Sequence, residues 1–265
     1  MSSRARAATV PSPRQARIRP PVSFDPIQPL RAHEYVAEQI RRHISLRLIG
    51  PGELLPSERE LAAMFGVGRP TIQHALRVLE ADHLVEARRG RRGGTFVLEP
   101  SENVRVLEEL MHRLLRRREE LEDLLVFRRM VEPAVARIAA ETRKRADLRP
   151  IQDALKGMGS ARTEPEYMRF DTEFHLAIAR ATHNRYLVRA IEEIRMQLND
   201  ALSLLPESET WHRRIGGEHL SIFETIKAGD SAAAEAMAEL HVANTDISVR
   251  AVLSAIGRRL GGRGA

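Results

Sequence analysis

Asp171 and His175 are four residues apart in a stretch of helical period, and they line up with Ile178 and Thr182 on one face. His219 falls in register with Ile215, Ile222, Phe223 and Ile226, and His241 with Ala234 and Met237. A carboxylate and three imidazoles on faces that are otherwise apolar need partners, because a polar group taken out of water without one is costly. Several of them converging on one point would make a donor set for a divalent metal. The chain has ten histidines, however. On spacing alone the plainer alternative weighs more: each is a hydrogen-bonded core or surface residue. Arg128 raises a similar question, since it sits in register with Leu121, Leu124, Leu125, Val131 and Val135. An arginine on such a stripe snorkels to solvent, pairs with Glu132 one turn on, or points into a cavity, and the first two are the usual outcomes.

The elements that must position these groups are helices. From Ser101 onward the period is almost entirely helical, with helices expected near 101–118, 120–142, 146–159, 164–182, 184–205, 212–228 and 230–256. Breaks are expected at Gly157–Gly159, Pro165, His183-Asn184, Pro206, Gly216-Gly217 and Gly229-Asp230. With no strand pattern, residues 101–256 read as an all-α bundle of six to seven helices, followed by a flexible tail over 257–265.

A second constellation precedes the bundle. Pro51 to Leu79 reads as two short helices around a tight turn. Ser57 and Glu60 make a capping box, Leu61, Ala62 and Phe65 give the first helix an apolar face, Gly66 breaks it, and Val67 is the expected buried residue of the turn. The second helix opens at Arg69–Pro70, turns Ile72, Ala75, Leu76 and Leu79 inward, and leaves Thr71, Gln73, His74 and Arg77 outward. That arrangement is a helix-turn-helix whose second helix can enter a DNA major groove. Two β-type runs follow, Leu84–Ala87 and Thr95–Leu98, joined by a Gly-rich turn carrying Arg88, Arg89, Arg91 and Arg92. They predict a basic wing; the alternative is a solvated basic loop, but turn, helix polarity and hairpin agree. A helix over about Arg31 to Leu48 would brace this domain, which spans 29–100. Residues 1–28, rich in Arg, Ser, Ala and Pro, read as a disordered basic arm.

The length of 265 residues suits one large or two smaller domains, and the net charge of +6 favours an acidic partner, nucleic acid ahead of membrane. Without cysteine there is neither disulfide nor thiolate chemistry. No apolar run approaches the ~18 residues a membrane span needs, so a cytoplasmic location is expected.

Residues 30 to 98 resemble the winged helix-turn-helix of the GntR family of bacterial transcription regulators. The resemblance rests on Pro51-Gly52, Leu55–Arg59, Leu61-Ala62, Phe65–Val67, Arg69, Thr71, Ala75-Leu76, Leu79 and Gly94–Val97. The family usually has serine at Gly68, arginine at Gln73 and glutamate at His74, so this chain departs there. Residues 104–256 are similar to the ligand-binding domain of the FadR subfamily. The match lies in Leu125–Pro133, Phe170-Asp171, Phe174-His175, Ala181-Thr182, Asn184, Glu218-His219, Ile222, Ala233, Ala236-Met237 and His241. The resemblance implies a divalent metal held by Asp171, His175, His219 and His241, with zinc, nickel or manganese all suited to that set. It implies an effector carboxylate bound by Arg128, and DNA contacts from Arg59, Arg69, Thr71 and position 73. The resulting expectation is a homodimeric, effector-responsive transcription factor, a repressor controlled by a small organic or sugar acid. A metal sensor is the alternative, and a metal-dependent hydrolase a third reading, though no residue is placed as an obvious general base and the helix-turn-helix would go unexplained.

Overall fold

The computed structural model describes residues 31–90, 93–98, 104–205 and 209–261; the expected arm over 1–28 lies outside them. Helix α1, Ala32–Ser45, buries Val36, Ala37, Ile40 and Ile44. It stops short of the expected Leu48 because Arg47 adopts a left-handed φ of 57° and the amides of Leu48 and Ile49 fall back on the His43 carbonyl. Helix α2, Glu58–Phe65, starts at the expected capping box: Ser57 accepts from the Glu60 amide, and the Glu60 carboxylate accepts from Ser57. Gly66, at φ 65°, closes it in a conformation that favours glycine. Helix α3, Arg69–Ala81, then buries Ile72, Ala75, Leu76 and Leu79. Val67 packs on that core but is only partly buried. Strands β1, Val85–Arg88, and β2, Gly94–Val97, pair antiparallel with Val85 opposite Val97, and Leu54 bridges to Phe96. These are the expected helix-turn-helix and wing.

Seven α-helices follow among the described residues: α4 Val104–Arg116, α5 Arg118–Thr142, α6 Leu148–Ser160, α7 Glu164–Ala181, α8 Arg185–Leu202, α9 Glu209–Ala228 and α10 Ser231–Gly261. A 3-10 turn, Arg145–Asp147, leads into α6. Two expectations are corrected. Helix α9 runs unbroken through Gly216-Gly217, because Ile215, His219, Ile222 and Ile226 are buried on either side and hold it. Packing of that face outweighs a glycine cost of roughly 1 kcal/mol each. Helix α10 continues to Gly261 where a flexible tail was expected, since buried Val252, Leu253 and Ile256 carry it on.

Within the bundle α10 packs along α5 and α6 along α7. The second pair approaches closely at Gly157, where a Cβ would lie 2.3 Å from the Phe170 ring. Helix α8 packs on α5 and α7 and also reaches α1. Phe174, on α7, is fully buried in this core; such burial stabilises by about 1.5–3 kcal/mol.

Candidate metal centre and DNA-reading face

Helix α7 supplies Asp171 and His175 from one face, α9 supplies His219 and α10 His241. All four are buried. The three imidazoles each offer a ring nitrogen, and these nitrogens lie within 4.8 Å of one another. Asp171 Oδ1 stands 3.4 Å from His219 Nε2 and 3.8 Å from His175 Nε2. Residues widely separated in sequence therefore do converge.

Two of the rings are oriented from outside. His241 Nδ1 sits 3.0 Å from Glu218 Oε2, and the other Glu218 oxygen accepts from Asn244 Nδ2 at 2.7 Å. His175 Nδ1 faces Glu132 Oε2 at 3.5 Å. Carboxylates on the far nitrogen fix which nitrogen faces inward. Burial pushes the His175 imidazole well below its ordinary pKa, and burial with the neighbouring His241 brings His219 down to about 3. Both rings are thus neutral at pH 7, which metal ligation requires, and their contacts with Asp171 are not ion pairs. Burial alone would raise the Asp171 carboxyl, but the Arg195 guanidinium outweighs it and holds it below the usual carboxylate range.

His175 Nε2 and both nitrogens of His219 are buried without a hydrogen-bond partner. Orphaned buried groups are rare and call for a reason. Three imidazole nitrogens, one from each ring, and an ionised carboxylate fit a divalent transition metal. A cavity of about 20 Å³ adjoins, lined by Glu132, His175 and His241 among apolar side chains. A larger chamber of about 530 Å³ lies beyond Tyr167, which is one turn before Asp171, and is lined by Leu155, Met158, Arg162, Arg213 and Leu220.

Arg128 is fully buried. Its Nε donates to Glu132 Oε1 at 2.8 Å, so the pairing one turn on is the outcome found. Its Nη1 stands 3.6 Å from Asp246 Oδ1 and makes no hydrogen bond. Glu132 thus links Arg128 to His175.

On the reading head, Arg59, Arg69 and Gln73 are exposed and Thr71 is half-buried. Glu58 Oε2 accepts from Arg69 Nη2 at 3.2 Å and from Gln73 Nε2 at 2.9 Å. His74 is exposed but stacks on His33 of α1 at 3.8 Å between centroids. In the wing, Arg88 lies 4.7 Å over the Phe96 ring and Arg89 is exposed; Arg91 and Arg92 lie outside the described residues.

The family model described as bacterial regulatory proteins, gntR family, matches residues 32–97, and that of the FCD domain matches 123–244. The chain is 36% identical over 202 residues to the HTH-type transcriptional regulator LutR of Bacillus subtilis, covering 74% of this chain and 91% of that one. The chain belongs to the GntR family. The HTH-type transcriptional repressor NanR of Klebsiella aerogenes is a further relative at 27% identity, over 86% of this chain and 88% of its own. The Glc operon transcriptional activator of Escherichia coli is 29% identical, over 73% and 79%. As a GntR-family protein with an FCD effector-binding domain the chain is a DNA-binding transcriptional regulator, not an enzyme.

Sequence reasoning missed Arg195. Its Nη2 hydrogen-bonds Asp171 Oδ2, and the residue is 1% exposed. It also missed Asn199, one turn on. The signal was present, since both lie among Ile191, Ile194, Leu198 and Leu202, the buried residues of α8.

Proposed function

We propose that this GntR-family regulator holds one divalent metal per chain at Asp171, His175, His219 and His241, and that a small organic or sugar acid binding beside it releases the operator. The metal would be zinc, nickel or manganese, and would supply a Lewis-acidic centre for a carboxylate. The observation carrying this reading is the pair of buried neutral histidines whose inward nitrogens have no partner. Arg128 is the proposed second anchor of the acid, because its Nη1 still has donor capacity deep in the bundle. The chamber outside Tyr167 offers room for the rest of such a molecule. Arg59, Arg69, Thr71, Gln73 and the wing arginines are the proposed DNA contacts. The proposed sign is repression.

A homodimer is part of this reading, since one recognition helix reads only a few base pairs. Helix α5 leaves Val126 and Met130 54% and 72% exposed, an apolar face suited to a second copy. A second reading, in which the metal itself is the signal, draws support from the 20 Å³ cavity at the histidines, which suits an ion better than an organic acid.

Metal analysis of unchelated protein should give about one equivalent per chain. His219→Ala should abolish it, and with metal at a hundredfold over Kd the stabilisation lost is about 3 kcal/mol. A thermal-shift screen of organic and sugar acids, with and without chelator, should raise the melting temperature only of metal-loaded protein. Arg128→Lys should weaken that shift, because the planar two-donor fork is lost. Response to metal with none to any acid favours the sensor. Well under one equivalent, with His219→Ala melting like the parent, would leave core histidines only. A monomer by light scattering at micromolar concentration, with full operator affinity, removes the dimer.

A further inference from the structure

Helix α8 touches both the metal centre and the DNA-binding head, and two of its buried polar residues lie one turn apart. Arg195 Nη2 donates to Asp171 Oδ2 and, at 3.4 Å, to Thr172 Oγ1. Asn199 Nδ2 donates to the same Thr172 Oγ1 at 3.2 Å and to the backbone carbonyl of Ser45 at 2.9 Å. Ser45 is the last residue of α1. The amides of Leu46 to Ile49 bond to the carbonyls of Arg42, His43 and Ile44, so the Ser45 carbonyl is a helix-end acceptor in need of an outside donor. Asn199 supplies it.

We propose that Arg195, Thr172 and Asn199 form a positioning relay that reports the state of Asp171 to the end of α1. The relay rests on the reading of the bundle as a ligand-responsive site. Its three side chains are essentially inaccessible, so water does not replace a broken link. Three of its atoms are each shared between two bonds, while Arg195 Nε and Asn199 Oδ1 are buried without a partner. Arg195 Nη2 has two hydrogens and two acceptors, Asn199 Nδ2 the same, and Thr172 Oγ1 accepts from both. If the Asp171 carboxylate turns toward the imidazoles, Arg195 Nη2 loses an acceptor, and its remaining bond, to the Thr172 Oγ1 that Asn199 shares, takes up the change. Because the links are buried, a made bond and a broken one are distinct arrangements, which a switch requires.

Other contacts dock α1 on α8 without touching the site. Arg42 pairs with Glu192, and Arg47 Nη2 lies 3.9 Å from Asp200 Oδ1. They hold the head in place; the Asn199 bond is the contact that continues inward to Asp171.

The test is a double-mutant cycle on the full chain, read by amide hydrogen exchange at residues 42–49 and by affinity for a duplex selected by the wild-type protein. Asp171→Asn keeps the shape but weakens the Arg195 link. It should change exchange at the end of α1 and operator affinity by about tenfold in the parent. In the Asn199→Ala background the same change should add less than about twofold. Thr172→Val, nearly the same shape without the acceptor, should uncouple the two likewise and carries the cycle if Asn199→Ala does not fold. An equal effect of Asp171→Asn in both backgrounds, or none on α1 in the parent, overturns the relay. A zinc titration of the same proteins separates the two ideas. Zinc binding without coupling keeps the metal and rejects the relay; coupling without zinc binding does the reverse.

Discussion

Two guanidinium–carboxylate contacts in this molecule use the same chemistry in opposite surroundings. On the reading head, Arg69 and Glu58 meet with side chains 65% and 35% exposed. In the bundle, Arg195 and Asp171 meet at 1% and 8%. An exposed pair is worth about 0–1 kcal/mol, because water competes for both ends. A buried pair is not worth much more as a pair, but removing one partner costs roughly 3–5 kcal/mol, because the other charge is left without water or counterion. The head thus carries ions that can be exchanged cheaply for a base or a phosphate. The bundle carries ions that move together or not at all. DNA reading needs the first property and signalling the second.

The widest gap should appear on deleting the cation from each. Arg195→Leu should destabilise the bundle by about 3–5 kcal/mol, lowering the melting temperature by about 10 °C, while Arg69→Leu leaves stability within about 1 kcal/mol. Chemical denaturation of both variants checks this, and equal losses would erase the distinction.

A pH series sharpens it. His219 has a folded pKa lowered to about 3 and His175 one lowered well below the ordinary value, both through burial. Between about pH 6.5 and 3 the unfolded chain binds protons that the folded rings refuse, so stability falls as pH falls. The folded pKa of Asp171 is also lowered, and its contribution is lost as pH drops through the carboxylate range. Each group contributes up to about 1.4 kcal/mol per pH unit inside its window. Melts of chelated protein at pH 7, 6 and 5 should therefore descend, and more shallowly in His219→Asn. A flat series in the parent would mean that the rings are not held neutral.

The smallest effect belongs to the head. Gln73→Arg should change the preferred base at one position per half-site, from adenine toward guanine, a discrimination of about 1–3 kcal/mol, and leave folding untouched. An unchanged sequence after selection from random DNA would show that Gln73 reads no base.

Helical register put Asp171, His175, His219 and His241 on apolar faces, which marked each as a buried polar residue, while their grouping into one donor set came from the family resemblance. The same rule applies to Arg195 and Asn199, whose neighbours Ile191, Ile194 and Leu198 are all buried. What register cannot supply is the partner: that Arg195 meets Asp171, or Asn199 the Ser45 carbonyl, depends on how α8 crosses α7 and α1. Arg128 shows the intermediate case, since its partner Glu132 is local and spacing named it. The capping box at Ser57 and the Gly66 turn were readable because their physics lies within a few residues. Gly216-Gly217 misled for the opposite reason: a local breaker lost to the burial of Ile215 and Ile222, which no local rule contains.

Glu58 holds Arg69 and Gln73 on one oxygen, and this bears on how the regulator searches a genome. If Arg69 and Gln73 contact bases as proposed, a sequence that draws both donors away would strip that carboxylate in a groove crowded with base acceptors and flanked by phosphates, where it would be repelled unless a cytosine amino group met it. Wrong sites would then be rejected by a penalty as well as by missing attraction. On random DNA the acid would stay clasped, and a site would hold only where it satisfies all three side chains together.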